Sequence, residues 1–361
     1  MRLATLNAQN LFGRAKAMNL ADSDHTGEVL DDFSTLNKLI EQKTYSEATK
    51  KQIAKLFAKQ SRYIKLNEMH GKLLTGSGKN IKVVSSGRDA WIGCFELREE
   101  SVKETATENT ARVIRELNAD ITCIVEAEDR PSLKDFNQTM LPLVKGKRFD
   151  HVMLIDGNDD RGIDLGILVK EPLKIVDIIS HVDDKDSKGT IFSRDCAEYV
   201  IETSTGEKLL VMVNHFKSQS GTPAESDEKR RRQAERVRQI YDERKKVFNL
   251  VAILGDLNAS PDTAPLQALI SETDLVEVSS RNGFDNGGFP GTYKECTAKD
   301  KFDYILMSPK LAAKFKTGGI ERHGMYIGKN GKKFAHFPEV AGTMDAASDH
   351  AGVWAEFDIA A

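Results

Sequence analysis

Cysteine is sparse in this chain: Cys94, Cys123, Cys196 and Cys296 stand far apart, with no CxxC pair among them. A disulfide framework or a structural zinc site needs closer, paired spacing, so neither is expected, and reduced thiols in a cytoplasm fit best. Long apolar runs are missing as well. No stretch approaches the roughly 18–20 residues that span a bilayer, and Met1 to Ala4 lead straight into a strand-like segment with no signal-peptide core. The expectation is a soluble cytoplasmic protein with no membrane anchor. The net charge is small, −3, which argues against wholesale coating of nucleic acid, although basic patches can lie beneath a balanced total. Repeats, low-complexity tracts and Pro/Gly/Ser-rich linkers are absent, so nothing divides the chain into halves or marks an obligate protein partner.

What is present is a large apolar store, 40% of 361 residues, enough for a sizeable core. It falls into short runs rich in Val and Ile at 120–125, 151–155, 164–169, 175–182, 209–216, 250–254, 303–307 and 353–359, which predict strands. Helical spacing lies between some of them: Val113, Ile114 and Leu117 within 107–117, and Ala234, Val237, Ile240 and Tyr241 within 225–247. The mix reads as one α/β sandwich domain over 1–361. One segment, about 13–104, looks like an insertion. Within it, 41–79 holds nine Lys/Arg against three Glu, with Ile53, Leu56, Phe57 and Ile64 at helical spacing. A basic amphipathic helix is expected there, either packed by its apolar face with a solvated basic side or serving as an arm for a polyanion. Residues 83–98 have the Gly-punctuated pattern of a β-hairpin.

Polar residues fall where these strands end. Asn7 closes the first strand, Glu126 ends the run Ile121 to Val125, "VMVNHFKS" places Asn214, His215 and Lys217, and "GDLNASPD" places Asp256 and Asn258 after the run at 250–254. Asp303 opens "DYILM", and Asp349 and His350 precede the last strand. Each alone has an ordinary reading, such as an Asx turn for Asp256 and Asn258 or a satisfied core histidine for His215. Together they share a chemical reason. A hard cation such as Mg²⁺ or Mn²⁺ takes oxygen ligands and is held by one or two carboxylates plus substrate phosphate, which suits Glu126 and Asn7. Attack of water on a phosphodiester needs an oriented nucleophile, a base and donors aimed at the phosphate oxygens, work that Asp256, Asn258, His215 and His350 can divide. Asp303 or Asp349 would fix a histidine tautomer.

The order of these motifs, Asn7, Glu126, "GIDLG", "NHF", "GDLN", "FDYI" and "SDH", resembles the endonuclease/exonuclease/phosphatase superfamily. The resemblance spans nearly the whole chain but skips the insertion. It implies the deoxyribonuclease I-like fold, a four-layer α/β-sandwich of two packed mixed β-sheets flanked by helices. It also implies that Asn7 and Glu126 hold Mg²⁺ or Mn²⁺ with Asp349 near it. Asp256 would orient or deprotonate the attacking water, Asn258 would steady that water and the phosphoryl oxygens, and His215 would donate to a non-bridging oxygen. His350 would contact the scissile phosphate or act as base, its ring held by Asp303. Arg161 is a phosphate contact or a structural salt bridge, and Asn214 and Lys217 are expected at the substrate. Val125 stands where family members usually carry Gln before the metal-binding Glu.

The resemblance gives the reaction and leaves the substrate open. A nuclease acting on DNA is the leading expectation, motivated by the basic insertion helix and by "EKRRRQAERVRQ" at 228–239. The alternative is a phosphatase or phosphodiesterase of small phosphoesters, inositol phosphates or lipid headgroups.

Overall fold

The computed structural model of the chain describes residues 1–20, 23–159 and 161–361. They fall into two compact units, one formed by Met1–Phe12 with Val102–Ala361, the other by Gly13–Ser101.

The larger unit contains two mixed sheets. The strands of these two sheets are β1 (Arg2–Asn7), β2 (Ile121–Ala127), β3 (His151–Ile155), β4 (Asp164–Val169), β5 (Lys174–Ile179), β6 (Cys196–Glu202), β7 (Lys208–His215), β8 (Leu250–Asp256), β9 (Val276–Glu277), β10 (Phe284–Asp285), β11 (Asp303–Met307), β12 (Phe315–Glu321) and β13 (Gly352–Phe357). One sheet runs β10-β12-β13-β1-β2-β4-β3 and the other β5-β6-β7-β8-β11-β9. The side-chain period of two on each strand sorts the residues into layers. Leu209, Val211 and Val213 of β7 face the inter-sheet core with Leu3, Cys123, Val125 and Ile167. Their neighbours Leu210 and Met212 face the opposite way, onto Ala234, Val237, Ile240 and Tyr241 of helix α2 (Pro223–Arg244). The first sheet likewise packs Ala4, Leu6 and Ile124 against Val113, Ile114 and Leu117 of helix α1 (Glu104–Leu117). The order is helix, sheet, sheet, helix, so the four-layer sandwich is present. Among the described residues, no helix is long and apolar enough to cross a membrane.

Two parallel pairings matter for function. β1 lies parallel to β2, with Asn7 opposite Val125, and β7 lies parallel to β8, with His215 opposite Asp256. Parallel neighbours end at the same edge, so the polar strand-end residues of each pair emerge together. Gly255 is required for the second pairing. Its φ is +126°, and a Cβ there would stand 2.0 Å from the Asn214 carbonyl oxygen, a backbone atom that cannot step aside. Gly255→Ala should therefore cost at least about 2 kcal/mol of stability, measured as a shift in the urea midpoint. A variant as stable as the parent would show that this close approach is not needed.

In the smaller unit the helix is shorter than 41–79. It spans Glu47–Gln60, capped by Ser46, whose side chain accepts from Thr49 N. Beyond it the chain forms strand Ile64–His70, and Gly71, Gly76 and Gly78 take left-handed backbone that ends any helical continuation. Three lysines of the basic segment are also spent on ion pairs: Lys50 with Glu47, Lys59 with Glu28 and Asp32, and Lys65 with Glu96. The hairpin expected over 83–98 is replaced by nested pairing. Ile92–Leu97 returns to Ile64–His70, and Leu74–Thr75 pairs with Lys82–Val83 inside it. Burial decides this choice, because the long-range register puts Phe95 and Leu97 into the unit's core with Ile64, Phe33 and Trp91.

Candidate active site

Burial makes the strand-end residues unusual. Asn7, His215, Asp256, Asn258, Asp303 and His350 are all less than 9% exposed, and a buried polar group is costly unless paired. The pairing is extensive. His350 Nδ1 lies 2.8 Å from Asp303 Oδ2, and its Nε2 lies 3.8 Å from Asp256 Oδ2. Asp256 Oδ2 also accepts from Asn7 Nδ2 at 3.1 Å, and its Oδ1 accepts from Asn258 N at 2.8 Å. That last bond is the Asx turn of "GDLN", which carries Asn258 in left-handed backbone (φ 51°). Asn258 Nδ2 in turn donates to the Phe216 carbonyl at 3.2 Å. His215 Nε2 faces two carboxylates, Glu126 Oε1 at 3.6 Å and Asp256 Oδ2 at 3.7 Å.

A bulge aims Glu126. The register of β4 against β2 slips between Asp164 and Leu165, so that Ala127 and Val125 are paired while Glu126 is skipped, and Glu126 takes φ 63°. Left-handed non-glycine residues Gln9, Asn10, Glu126 and Asn258 thus gather at the strand ends that carry the polar groups. Among the described residues no hydrogen-bond donor reaches the Glu126 carboxylate, and burial raises its pKa even though Arg161 and Arg194 oppose the rise. Asp349 Oδ1 is buried and has no hydrogen-bond partner. Two under-satisfied carboxylates of this kind fit a divalent cation, whose charge offsets the cost of burying them.

The electrostatics separate the two histidines. Asp303 and Asp256 outweigh burial at His350 and raise its pKa to about 10, so it is an imidazolium at neutral pH. Burial, reinforced by Arg194 and Arg161, pushes His215 well below its usual value, so it is neutral. Burial raises Asp256 to about 7, with His350 opposing and Asp303 and Glu126 adding to the rise. One ligand atom from each of Asp256, Asp303 and His350 lies within 4.8 Å of the others. A protonated imidazole whose Nδ1 is bound to Asp303 is a poor metal ligand, so this trio is better suited to proton handling than to a cation.

The remaining sequence-predicted residues are engaged differently. Arg161 forms a bidentate salt bridge to Asp159, Nε to Oδ1 and Nη2 to Oδ2, both at 2.8 Å. Asn214 is fully buried behind the site, its Nδ2 donating to the Met212 carbonyl at 3.3 Å, and so offers no surface to a substrate. Lys217 Nζ is held by the carbonyl and hydroxyl of Ser220, each at 2.8 Å, and Lys217 N donates to Gln233. These bonds fix the loop that follows His215.

Two residues escape sequence reasoning. Arg194 is 1% exposed, lies 2.8 Å from Asp159 Oδ2 and donates to the Phe216 carbonyl at 3.1 Å, while its Nη2 is buried without a partner. In "IFSRDC" it looks like an ordinary charge before a strand. Tyr293 stacks on Phe302 (centroids 5.0 Å) and tilts against His350 (4.6 Å), bridged to it by backbone pairing. Thr292, beside it, accepts from Asp303 N at 3.0 Å. The only sequence signal for this segment is its place just before a strand that opens on an aspartate.

No curated protein sequence matches the chain. Among solved structures, an endonuclease/exonuclease/phosphatase family protein from Bacteroides thetaiotaomicron is similar at a TM-score of 0.51 and 20% identity, covering 70% of this chain and 89% of that one. A mannosyl-6-phosphatase from the same organism is similar at 0.51 and 18%, covering 71% and 92%. A Bacteroides vulgatus protein of the same description is similar at 0.50 and 15%, covering 71% and 91%. A family model described as the Endonuclease/Exonuclease/phosphatase family matches residues 99–317, more than half of the chain. With that match over more than half of its length, this chain belongs to the endonuclease/exonuclease/phosphatase family of phosphoester hydrolases, whose members generally use divalent metals.

Proposed function

We propose that the chain is a phosphodiesterase dependent on Mg²⁺ or Mn²⁺, with nucleic acid, and DNA first, as the source of the diester. The observation that carries this is Asp256, buried between a neutral histidine and a protonated one. In this reading Asp256, whose pKa is near neutrality, takes the proton of the attacking water, and Asn7 and Asn258 hold its two oxygens in place. His215 presents an Nε2–H to a non-bridging oxygen, and His350, kept protonated by Asp303, places positive charge where the phosphate gains negative charge. Arg194, by its positive field, helps keep His215 neutral. Glu126, with Asn7 and Asp349, would hold the cation, which when bound polarises the phosphate and offsets charge on its oxygens.

A second reading, hydrolysis of small phosphoesters, is favoured by one observation on α2. Its basic run does not stand free: Arg230 pairs with Asp227, Arg231 with Glu228 and Glu235, Arg232 with Asp186, Arg236 with Asp184 and Arg238 with Glu272. An arginine face neutralised in this way is a weak grip for a polyanion. Incubation with plasmid DNA, single-stranded DNA, RNA and a generic phosphodiester, each with Mg²⁺, Mn²⁺ or EDTA, separates the readings. Cleavage of DNA that EDTA abolishes is the expected result. Turnover of the small ester alone would favour the second reading, and activity indifferent to EDTA would end both.

A further inference from the structure

Residues 322–336, "RHGMYIGKNGKKFAH", lie beyond the span matched by the family model and contain Arg322, Lys329, Lys332 and Lys333 with no acidic residue. The segment is built into the catalytic edge. Phe334 meets Phe289 edge-on at 4.9 Å, and Ile327, Phe334 and Met325 pack on Cys296 and on Ala351, the residue after His350. Lys333 Nζ bonds Glu295 Oε2 at 2.7 Å, and Lys294 N donates to the Asp349 carbonyl at 3.1 Å. These contacts fix the segment against the same 289–296 stretch that carries Tyr293. Its tip turns sharply: Gly328, Asn330 and Gly331 all have positive φ, and a Cβ at Gly331 would lie 2.5 Å from the Tyr326 ring. Lys329 and Lys332 are left exposed on that turn, and Lys294 and Lys299 are exposed on the stretch beneath. Among the described residues no carboxylate lies within ion-pair distance of Lys294, Lys299, Lys329 or Lys332, in contrast to the arginines of α2.

We propose that this pinned basic turn is a nucleic-acid contact surface, on which Lys329 and Lys332, aided by Lys294 and Lys299, bind the backbone phosphates of a strand that continues past the phosphate being cleaved. Its choice of occupant rests on the phosphodiesterase reading above. An order imposed by the Phe289 and Phe334 packing also means that little backbone freedom is lost on binding.

The test is binding, measured in EDTA so that no catalysis is needed. Fluorescein-labelled single-stranded and duplex oligonucleotides are titrated against the full-length protein and Lys329→Glu/Lys332→Glu at several salt concentrations. The variant should bind roughly tenfold or more weakly at low salt, and the slope of log K against log salt should fall by about 1.8 for duplex, the value for two lost phosphate contacts. Its kcat/KM on bis(p-nitrophenyl) phosphate and its melting temperature should match the parent, which excludes misfolding. Unchanged oligonucleotide affinity and slope would overturn the proposal. So would loss of binding to phosphatidylserine vesicles with oligonucleotide binding intact, which would assign the turn to a membrane surface. A protein that binds oligonucleotide through the turn but hydrolyses no diester would instead count against the phosphodiesterase reading alone.

Discussion

His350→Ala should lower kcat on a phosphodiester by about 10²- to 10³-fold with the fold retained, the range ascribed to a preorganised electrostatic stabiliser of developing charge. The expectation comes from where the ring sits: its Nδ1 is anchored 2.8 Å from Asp303, and its Nε2 faces Asp256 at 3.8 Å. Asp303→Asn is the more telling variant, because it leaves the imidazole in place. Asp303 is a leading cause of the raised pKa of His350, so its loss lets the imidazolium give up its proton at lower pH. The sign follows directly. If activity needs the charged ring, the alkaline limb of the pH–rate profile should move toward neutrality in Asp303→Asn, with KM little changed. A lower kcat with an unmoved limb would make Asp303 merely structural.

Glu126→Gln should abolish metal-dependent activity and weaken metal binding beyond the roughly 10- to 100-fold that loss of an outer partner costs. Direct Mn²⁺ titration by electron paramagnetic resonance gives a readout independent of turnover. Stability supplies a second. Folding raises the pKa of Glu126 by burial, so the metal-free protein favours the neutral carboxyl and loses stability as pH climbs from the ordinary carboxylate range through the raised value. A neutral carboxamide avoids that loss. Glu126→Gln should therefore melt no lower than the parent in EDTA near neutral pH, and its melting temperature should no longer rise when Mn²⁺ is added. A variant that still gains stability from the ion would remove Glu126 from the metal site.

Much of this site is legible without coordinates, because period-two patterning locates strand ends and a carboxylate at the end of an apolar run is conspicuous. Asp256, Asn258, His215, Asp303 and His350 stand out in that way, and the fold joins them in one network of contacts. The bulge at Glu126 could not be read, since it depends on how β4 pairs with β2. Arg194 and Tyr293 were equally hidden: neither local pattern reveals that Asp159 or His350 lies beside it.

Charge shows the limit most clearly. "EKRRRQAERVRQ" reads as a basic run, but the carboxylates that pair with it include Asp184, Asp186 and Glu272, brought from outside the helix by the fold. The turn at 329–332 has fewer basic residues, yet among the described residues no carboxylate pairs with its Lys329 or Lys332. By itself the sequence determined a strand-rich α/β sandwich with polar residues at its strand ends, because hydrophobic periodicity and the cost of burying polar groups act residue by residue; the four layers came from the family resemblance. Tertiary structure alone decided which charges are neutralised, which backbone is bent to aim a carboxylate and which histidine keeps its proton. Those depend on distances of a few ångströms between segments far apart in the chain, where Coulomb interactions and desolvation change most steeply.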